Sequence, residues 1–149
     1  MLCHDLQMRF ATIGLMAIAA VLAASGCSSA PTAREGGRPV AKWRISQPDL
    51  LVPSPERTAV VSFLRDKGTI DAKCTHNILV NGRVAFAIRN GESQTIYLAP
   101  GQYSIGMQSS GSGCPNVGIS EYTNLGPGAH ETYRIFSPNS YGARLIKIK

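Results

Sequence analysis

The residues with the clearest chemical potential in this 149-residue chain are its four cysteines, Cys3, Cys27, Cys74 and Cys114. A thiol can close a disulfide, bind a metal ion or carry a covalent modification, and the cellular compartment largely decides which of these it does. Cys3 and Cys27 flank an N-terminal apolar segment, whereas Cys74 and Cys114 lie in the remainder of the chain. In an exported protein, two remaining thiols most simply form one disulfide, which would stabilise a small domain by roughly 4 kcal/mol.

The main alternative for these thiols is a metal site, because His76 lies two residues after Cys74 and Cys114 could supply a third ligand. Structural zinc sites usually combine two closely spaced ligand pairs, however, and His130 is the only other imidazole after the N-terminal segment. The sequence therefore predicts a disulfide between Cys74 and Cys114, no metal site and no cofactor.

Other residues that could act as acids, bases or nucleophiles lack the spacing that catalysis needs. The serines do not lie in a strand–turn–helix nucleophile motif, and no glycine-rich loop joins a strand to a helix. The acids are scattered through predicted turns and indicate no pair suited to glycan hydrolysis. His76 and His130 could act with Asp66 or Asp71, but isolated histidines of this kind are more commonly turn or surface residues. We therefore predict that the protein is not an enzyme.

The first 26 residues have the parts of a bacterial export signal. Arg9 provides positive charge, residues 10–24 form an apolar run, and two small residues precede Cys27. The run is shorter than the roughly 20 apolar residues that a membrane-spanning helix needs. Residues 2–7 fit this plan poorly because Asp5 lowers the expected positive charge, so we predict that translation begins at Met8.

Residues 24–27, Ala-Ser-Gly-Cys, resemble the lipobox of bacterial lipoproteins, although Ala24 stands where Leu is commoner. The resemblance implies that the Cys27 sulfur carries a diacylglycerol, that the signal is cut just before it, and that the new amino group is acylated. Such a set of acyl chains anchors a protein firmly. Ser28 replaces the Asp that retains many Gram-negative lipoproteins in the inner membrane, which implies an outer-membrane protein facing the periplasm. The alternative is ordinary cleavage, which would leave a soluble periplasmic protein with a spare thiol.

Residues 27–57 are predicted to form the lipidated N-terminus and a flexible linker, because prolines, a Gly-Gly pair and scattered charges argue against packed structure. Within this segment Trp43 lies between Lys42 and Arg44, and the apolar pair Leu50-Leu51 follows. One interpretation is that Trp43 or the leucines fold back onto the domain, as in an edge strand. The other is that Lys42, Trp43 and Arg44 bind a partner protein or a glycan.

Residues 58–149 have the pattern of an all-β domain, in which short apolar segments are separated by turn signals about every ten residues. Asn81-Gly82 is the strongest hairpin signal, because both turn positions must accept positive φ, and Asn90-Gly91 repeats it. Apolar and polar side chains alternate over residues 103–108, which indicates one buried and one solvated face. We predict a single small antiparallel β-sandwich of about eight strands.

The stretches Val80-Asn-Gly-Arg-Val84 and Leu98-Ala-Pro-Gly-Gln-Tyr103 resemble the core of PEGA-type domains and of uncharacterised bacterial lipoproteins with a related small β-sandwich. In those domains a strand ending in an Asn-Gly or Asp-Gly turn is followed by a strand that closes in Leu-x-Pro-Gly-x-Tyr. The resemblance covers residues 59–108 and implies an envelope β-sandwich with no known catalytic residues.

The charge balance is basic, with 15 Lys and Arg against 9 Asp and Glu. An exported chain does not meet the genome, so the sequence predicts no nucleic-acid partner, and the available anionic partners are lipid phosphates and acidic envelope polymers. Six cations are candidates for a positive face: Arg83, Arg89, Arg134, Arg144, Lys147 and Lys149.

Together these patterns predict a membrane-anchored envelope lipoprotein that acts as a non-catalytic interaction or structural module. Its partners would be the membrane, through the lipid anchor, and an envelope protein or anionic envelope polymer. The alternative is a periplasmic domain that binds a small ligand or a glycan.

Overall fold

The computed structural model of the protein describes residues 29–32, 36–138 and 142–148, and over these ranges the chain is mostly β-structure. The predicted all-β sandwich is confirmed, because a five-stranded and a four-stranded sheet share one core. The predicted signal peptide and Cys27 lie outside the described residues.

The strands are β1 (Ser29–Ala30), β2 (Arg38–Pro39), β3 (Ala59–Arg65), β4 (Lys67–Gly68), β5 (Thr75–Val80), β6 (Arg83–Ile88), β7 (Glu92–Leu98), β8 (Gly101–Ser110), β9 (Gly118–Leu125), β10 (His130–Phe136) and β11 (Arg144–Ile148). Two short 3₁₀ helices, Lys42–Arg44 and Pro48–Leu51, lie between β2 and β3.

The larger sheet has the strand order β11-β10-β3-β7-β2, and the smaller sheet has the order β6-β5-β8-β9. Strands β1 and β4 form a separate two-stranded ladder. Asn81 and Gly82, with φ angles of 51° and 75°, form the predicted hairpin between β5 and β6. The Asn90-Gly91 turn connects two strands of different sheets, so it carries the chain across the sandwich and does not form a hairpin.

Most strand pairs are antiparallel, as predicted, but the larger sheet also contains two parallel pairs. Strand β3 runs parallel to β10, with Val60 opposite His130, and β2 runs parallel to β7. Turn signals specify only antiparallel neighbours that follow each other directly in the chain. A parallel pair needs a long connection, and β3 and β10 are joined through the whole smaller sheet and β7.

The core lies between the two sheets and is centred on Phe63 of β3. Its ring stacks on Tyr133 at a centroid distance of 5.5 Å and meets Phe86 of the opposite sheet edge-on at 5.4 Å. In β8, Ile105 and Met107 are fully buried and Gln108 is exposed, as the predicted alternation requires, although Gly106 between them is also buried. Every second residue of β5 is buried as well. The two sheets therefore pack against each other through the faces formed by every second residue of their strands.

The segment before β3 is part of the folded domain, which corrects the prediction that all of residues 27–57 form a flexible linker. Val40 and Leu50 are buried in the core, and the backbone N–H groups of Ser46 and Gln47 donate to the Ala85 carbonyl on the edge strand β6. Two of its prolines are compatible with this packing because they occupy positions that need no N–H donor. Pro39 lies in the edge strand β2, and Pro48 begins a 3₁₀ helix.

Candidate functional site

Cys74 and Cys114 form the predicted disulfide, with their Cα atoms 5.7 Å apart. Cys74 ends the loop before β5, and Cys114 lies in the loop after β8. These two strands are paired in the smaller sheet, with Thr75 opposite Ser110, so the bond closes the end of that pair. Both sulfurs are used by the disulfide. Within the described ranges, no group of three or more His, Cys, Asp or Glu side chains is placed to hold a metal ion.

The predicted partner-binding trio Lys42, Trp43 and Arg44 is divided by the structure, because Arg44 points inward. Its guanidinium makes two hydrogen bonds to the Glu92 carboxylate, of 2.7 and 2.5 Å, and a third to the Ala87 carbonyl at 2.6 Å. Both side chains of the ion pair are less than one-tenth exposed. Arg44 is therefore a structural residue that fixes the first 3₁₀ helix to strands β6 and β7.

The charge of Glu92 is stabilised by this environment. Burial by itself raises the pKa of Glu92, but hydrogen bonds from Arg44 and from the Arg89 backbone N–H, together with the Arg44 charge, outweigh it. The pKa of Glu92 therefore lies below its usual value, and the ion pair persists at neutral pH.

Trp43 itself projects into solvent, with 74% of its surface exposed. The guanidinium carbons of Arg44 and Arg89 lie 5.3 and 5.5 Å from the centre of its ring, which is within the range of cation–π attraction. Lys42 is also exposed. Leu50, in contrast, folds back onto the core, so the interpretation of a segment folded onto the domain is correct for Leu50 and wrong for Trp43.

Two further cations, which no sequence motif marks, lie at the turn that follows Arg89. Arg38 and Lys67 line an open cleft of about 580 Å³ together with the turn at Asn90 and Gly91. The side chains of both cations are exposed. No sequence signal connects them, because they come together only through the pairing of β2 with β7 and the packing of β4 beside the turn. We refer to Arg38, Lys42, Trp43, Lys67 and Arg89 as the basic aromatic surface.

The six cations proposed for a positive face are not equally available. Arg134 is paired with Asp66 at 2.9 Å, and Lys147 is paired with Glu131. Arg83, Arg89 and Arg144 are exposed, whereas Lys149 lies outside the described residues.

A second surface, the outer face of β8 and β9, combines polar uncharged side chains with one exposed aromatic ring. Tyr122 is 90% exposed and lies opposite Ser104 in the ladder. Gly106 leaves a shallow groove of about 320 Å³ beside it, since a Cβ at this position would meet the Ile119 carbonyl at 3.2 Å. We call this surface the uncharged face. Its members are Gln102, Ser104, Gly106, Gln108, Gly118, Ser120, Tyr122 and Asn124.

A third polar cluster is enclosed at the disulfide end of the core. His76 and Arg65 take inward positions on β5 and β3, and both are almost completely buried. His76 Nδ1 lies 3.1 Å from Ser109 Oγ, and Arg65 donates to Ser137 Oγ and to the Asp71 carbonyl. The Arg65 Nε and His76 Nε2 atoms are buried without a hydrogen-bond partner.

The His76–Ser109 pair has the atom types of a base and a nucleophile, but its electrostatics make it a weak base. Burial, and then the positive charge of Arg65, lowers the pKa of His76 to about 4. Burial also lowers the pKa of Arg65. His76 is therefore neutral at physiological pH. The sequence left His76 open as a metal ligand, as a catalytic partner of Asp66 or Asp71, or as a turn or surface residue. Only the fold shows that it faces the core.

The fold and these surfaces define a disulfide-bonded, two-sheet β-sandwich in which residues 36–58, before β3, are part of the folded domain. No family model, no curated protein and no solved structure has significant similarity to the chain. None of the helices within the described ranges has the length and apolar character needed to cross a membrane.

Proposed function

We propose that the protein is a cell-envelope lipoprotein, anchored in the outer membrane through Cys27 and facing the periplasm, whose β-sandwich acts as a non-catalytic interaction or structural module. The lipobox-like residues 24–27 carry the proposal of the anchor. The Cys74–Cys114 disulfide supports an exported location, since such bonds persist in oxidising compartments and are rare in the cytosol.

The position of the chemistry-bearing residues supports a module that binds rather than catalyses. His76 is buried and weakly basic, whereas the exposed features are an aromatic ring among cations and an uncharged sheet face. Exposed aromatic side chains on a rigid scaffold are typical of recognition surfaces. Trp43 meets this description because the buried Arg44–Glu92 pair fixes its backbone.

Metabolic labelling with radioactive palmitate tests the anchor. The wild-type protein should incorporate label and fractionate with the outer membrane, whereas a Cys27→Ala variant should remain unlabelled. A Cys114→Ala variant is the matched control, because it loses a thiol that is not proposed to carry lipid and should still be labelled. Unlabelled wild-type protein that is released by osmotic shock would refute the proposal.

A second candidate function, binding of an envelope glycan, is favoured by the uncharged face. Sugar rings present apolar faces and many hydroxyl groups, which fit an exposed aromatic ring surrounded by amide and hydroxyl side chains. Tyr122 provides the ring, and the neighbouring positions on β8 and β9 provide serine and amide groups.

Thermal-shift titration of the full protein with peptidoglycan fragments tests this candidate. We expect stabilisation that is lost in Tyr122→Ala and kept in Trp43→Ala, because Tyr122 and Trp43 belong to different surfaces. Equal stabilisation of all three proteins would rule out the uncharged face as the binding site.

A further inference from the structure

The lipid anchor proposed at Cys27 would be attached very close to the folded domain. Ser29 and Ala30 form β1 and pair with Gly68 and Lys67 of β4. Cys27 precedes Ser29 by two residues, which span at most about 7 Å even when fully extended. The polar headgroup layer of one leaflet is itself roughly 5 to 7 Å thick. A lipidated Cys27 would therefore hold the β1–β4 ladder at the membrane surface, with no long tether between them.

The basic aromatic surface lies beside this ladder and is connected to it by direct contacts. The Asn90 side chain accepts from the Gly68 N–H at 2.9 Å and donates to the Gly68 carbonyl at 3.0 Å, which joins β4 to the turn after β6. Arg89, the residue before Asn90, has its guanidinium 5.5 Å from the Trp43 ring. Arg38 bonds to the same turn through its backbone N–H, which donates to the Gly91 carbonyl at 3.1 Å.

The charge of this surface is positive. Arg38, Lys42, Lys67 and Arg89 are all exposed. Among the described residues, the carboxylates of Glu92 and Asp66 are buried next to this surface, and each forms an ion pair with an arginine outside it, Glu92 with Arg44 and Asp66 with Arg134. The charge of Arg38 also acts on Glu92, so this acid offsets part of that charge. The side chains of Arg38, Lys42, Lys67 and Arg89 remain exposed to an external anion.

We propose that the basic aromatic surface lies against the membrane that holds the Cys27 anchor and binds its anionic phospholipid headgroups. This inference rests on the lipidation proposed above, and it adds an orientation and a ligand chemistry to it. The cations contact lipid phosphates, and the Trp43 ring inserts at the headgroup level, where tryptophan side chains are stable. The cleft between Arg38 and Lys67 provides space for one headgroup.

The fluorescence of Trp43, the only tryptophan in the chain, reports directly on this arrangement. The lipidated full-length protein is reconstituted into phosphatidylcholine vesicles with or without phosphatidylglycerol. Quenching is measured with acrylamide from the water and with brominated phosphatidylcholine from the bilayer. With phosphatidylglycerol present, the emission should shift to shorter wavelength, the lipid should quench it, and acrylamide should not. High salt should reverse these effects.

A matched pair of variants tests the role of charge. Arg38→Gln/Lys67→Gln should lower the ratio of docked to undocked protein by about fivefold for each cation removed. Arg83→Gln/Arg144→Gln removes the same charge from exposed cations outside the surface and should behave as wild type.

The outcomes separate this inference from the proposed function. Protein that carries no acyl groups by mass spectrometry contradicts the anchor itself, and with it the orientation that depends on it. Lipidated protein whose Trp43 stays accessible to acrylamide in anionic vesicles overturns the orientation alone. Protection of Trp43 by added peptidoglycan fragments, but not by phosphatidylglycerol, would overturn it as well, since it would assign the surface to a polymer.

Discussion

Arg44 shows how one buried ion pair determines what its neighbours can do. The side chain lies inside the domain, bonded to Glu92 and to the Ala87 carbonyl, and this directs the adjacent Trp43 outward. A buried pair contributes little net stability compared with an apolar pair, but removal of one partner leaves an uncompensated charge. Arg44, which sequence reasoning assigned to partner binding, therefore positions the exposed ring of Trp43.

Substitution of Arg44 should be much more destabilising than substitution of an exposed arginine. Arg44→Met leaves the Glu92 carboxylate buried without its partner, so we expect a loss of about 3 to 5 kcal/mol in the free energy of unfolding. Arg57→Met removes the exposed pair with Asp49 and should cost less than about 1 kcal/mol. Urea denaturation measures both values, and equal effects would show that the Arg44–Glu92 pair is not buried.

The depressed pKa of His76 predicts a stability that depends on pH. The pKa falls from 6.5 to about 4 on folding, so the unfolded chain binds one more proton between these values. The stabilisation is complete above pH 6.5 and is lost as the pH falls from 6.5 to 4, by up to about 3 kcal/mol. His76→Gln should flatten this part of the stability profile. A wild-type profile with the same slope as His76→Gln would contradict the burial of a neutral His76.

At the scale of elements, the segment of residues 36–58, before β3, covers edges of both sheets. It pairs with β7 through β2, bridges β6 through Ile45, and places Leu50 in the core. Unpaired edge strands favour intermolecular pairing, so this segment protects the side of the sandwich formed by β6 and β7. Burial of its few apolar residues compensates for the cost of ordering a proline-rich chain.

A substitution at Leu50 tests whether this segment belongs to the cooperative fold. Leu50→Ala should lower the free energy of unfolding by about 2 to 3 kcal/mol, because it removes buried apolar contacts. Val52→Ala is the control, since Val52 is 60% exposed and should be nearly neutral. If residues 36–57 were part of a flexible linker, as the sequence predicted for residues 27–57, neither substitution would change the midpoint of chemical denaturation.

For the whole molecule, the disulfide joins loops at the end of the sandwich that also contains the buried His76 and Arg65. It lies next to the loop of Asp71, whose carboxylate accepts a hydrogen bond from Ser137 at 2.8 Å. The strand pairing of the smaller sheet does not depend on the bond itself, because β5 and β8 are paired along six residues. Its contribution is therefore to stability more than to topology.

Removal of the disulfide should lower stability without changing the fold. We expect Cys74→Ala/Cys114→Ala to lose about 2 to 5 kcal/mol while the far-ultraviolet circular dichroism spectrum stays that of a β-protein. Chemical reduction of the wild type should give a similar shift of the denaturation midpoint. Identical midpoints for the oxidised and reduced protein would contradict a stabilising role of this bond.

Local features of the sequence were sufficient to predict the strands and the Cys74–Cys114 disulfide. Alternation in residues 103–108 and the Asn81-Gly82 turn depend on neighbours in the chain, and the structure confirms both. The disulfide followed from the number of thiols left after the N-terminal segment. The Asn90-Gly91 turn shows what local sequence cannot predict, because the same dipeptide fits both a hairpin and a connection between two sheets.

The sequence by itself thus determined an all-β domain with a disulfide, since period-two patterning, turn chemistry and cysteine count are local properties. Only the tertiary structure decided the parallel pairing of β3 with β10, the burial of Arg44 and His76, and the meeting of Arg38 with Lys67. These depend on which distant segments become neighbours. The free energy of such contacts comes from burial and charge pairing across the whole chain, and no short window of sequence contains it.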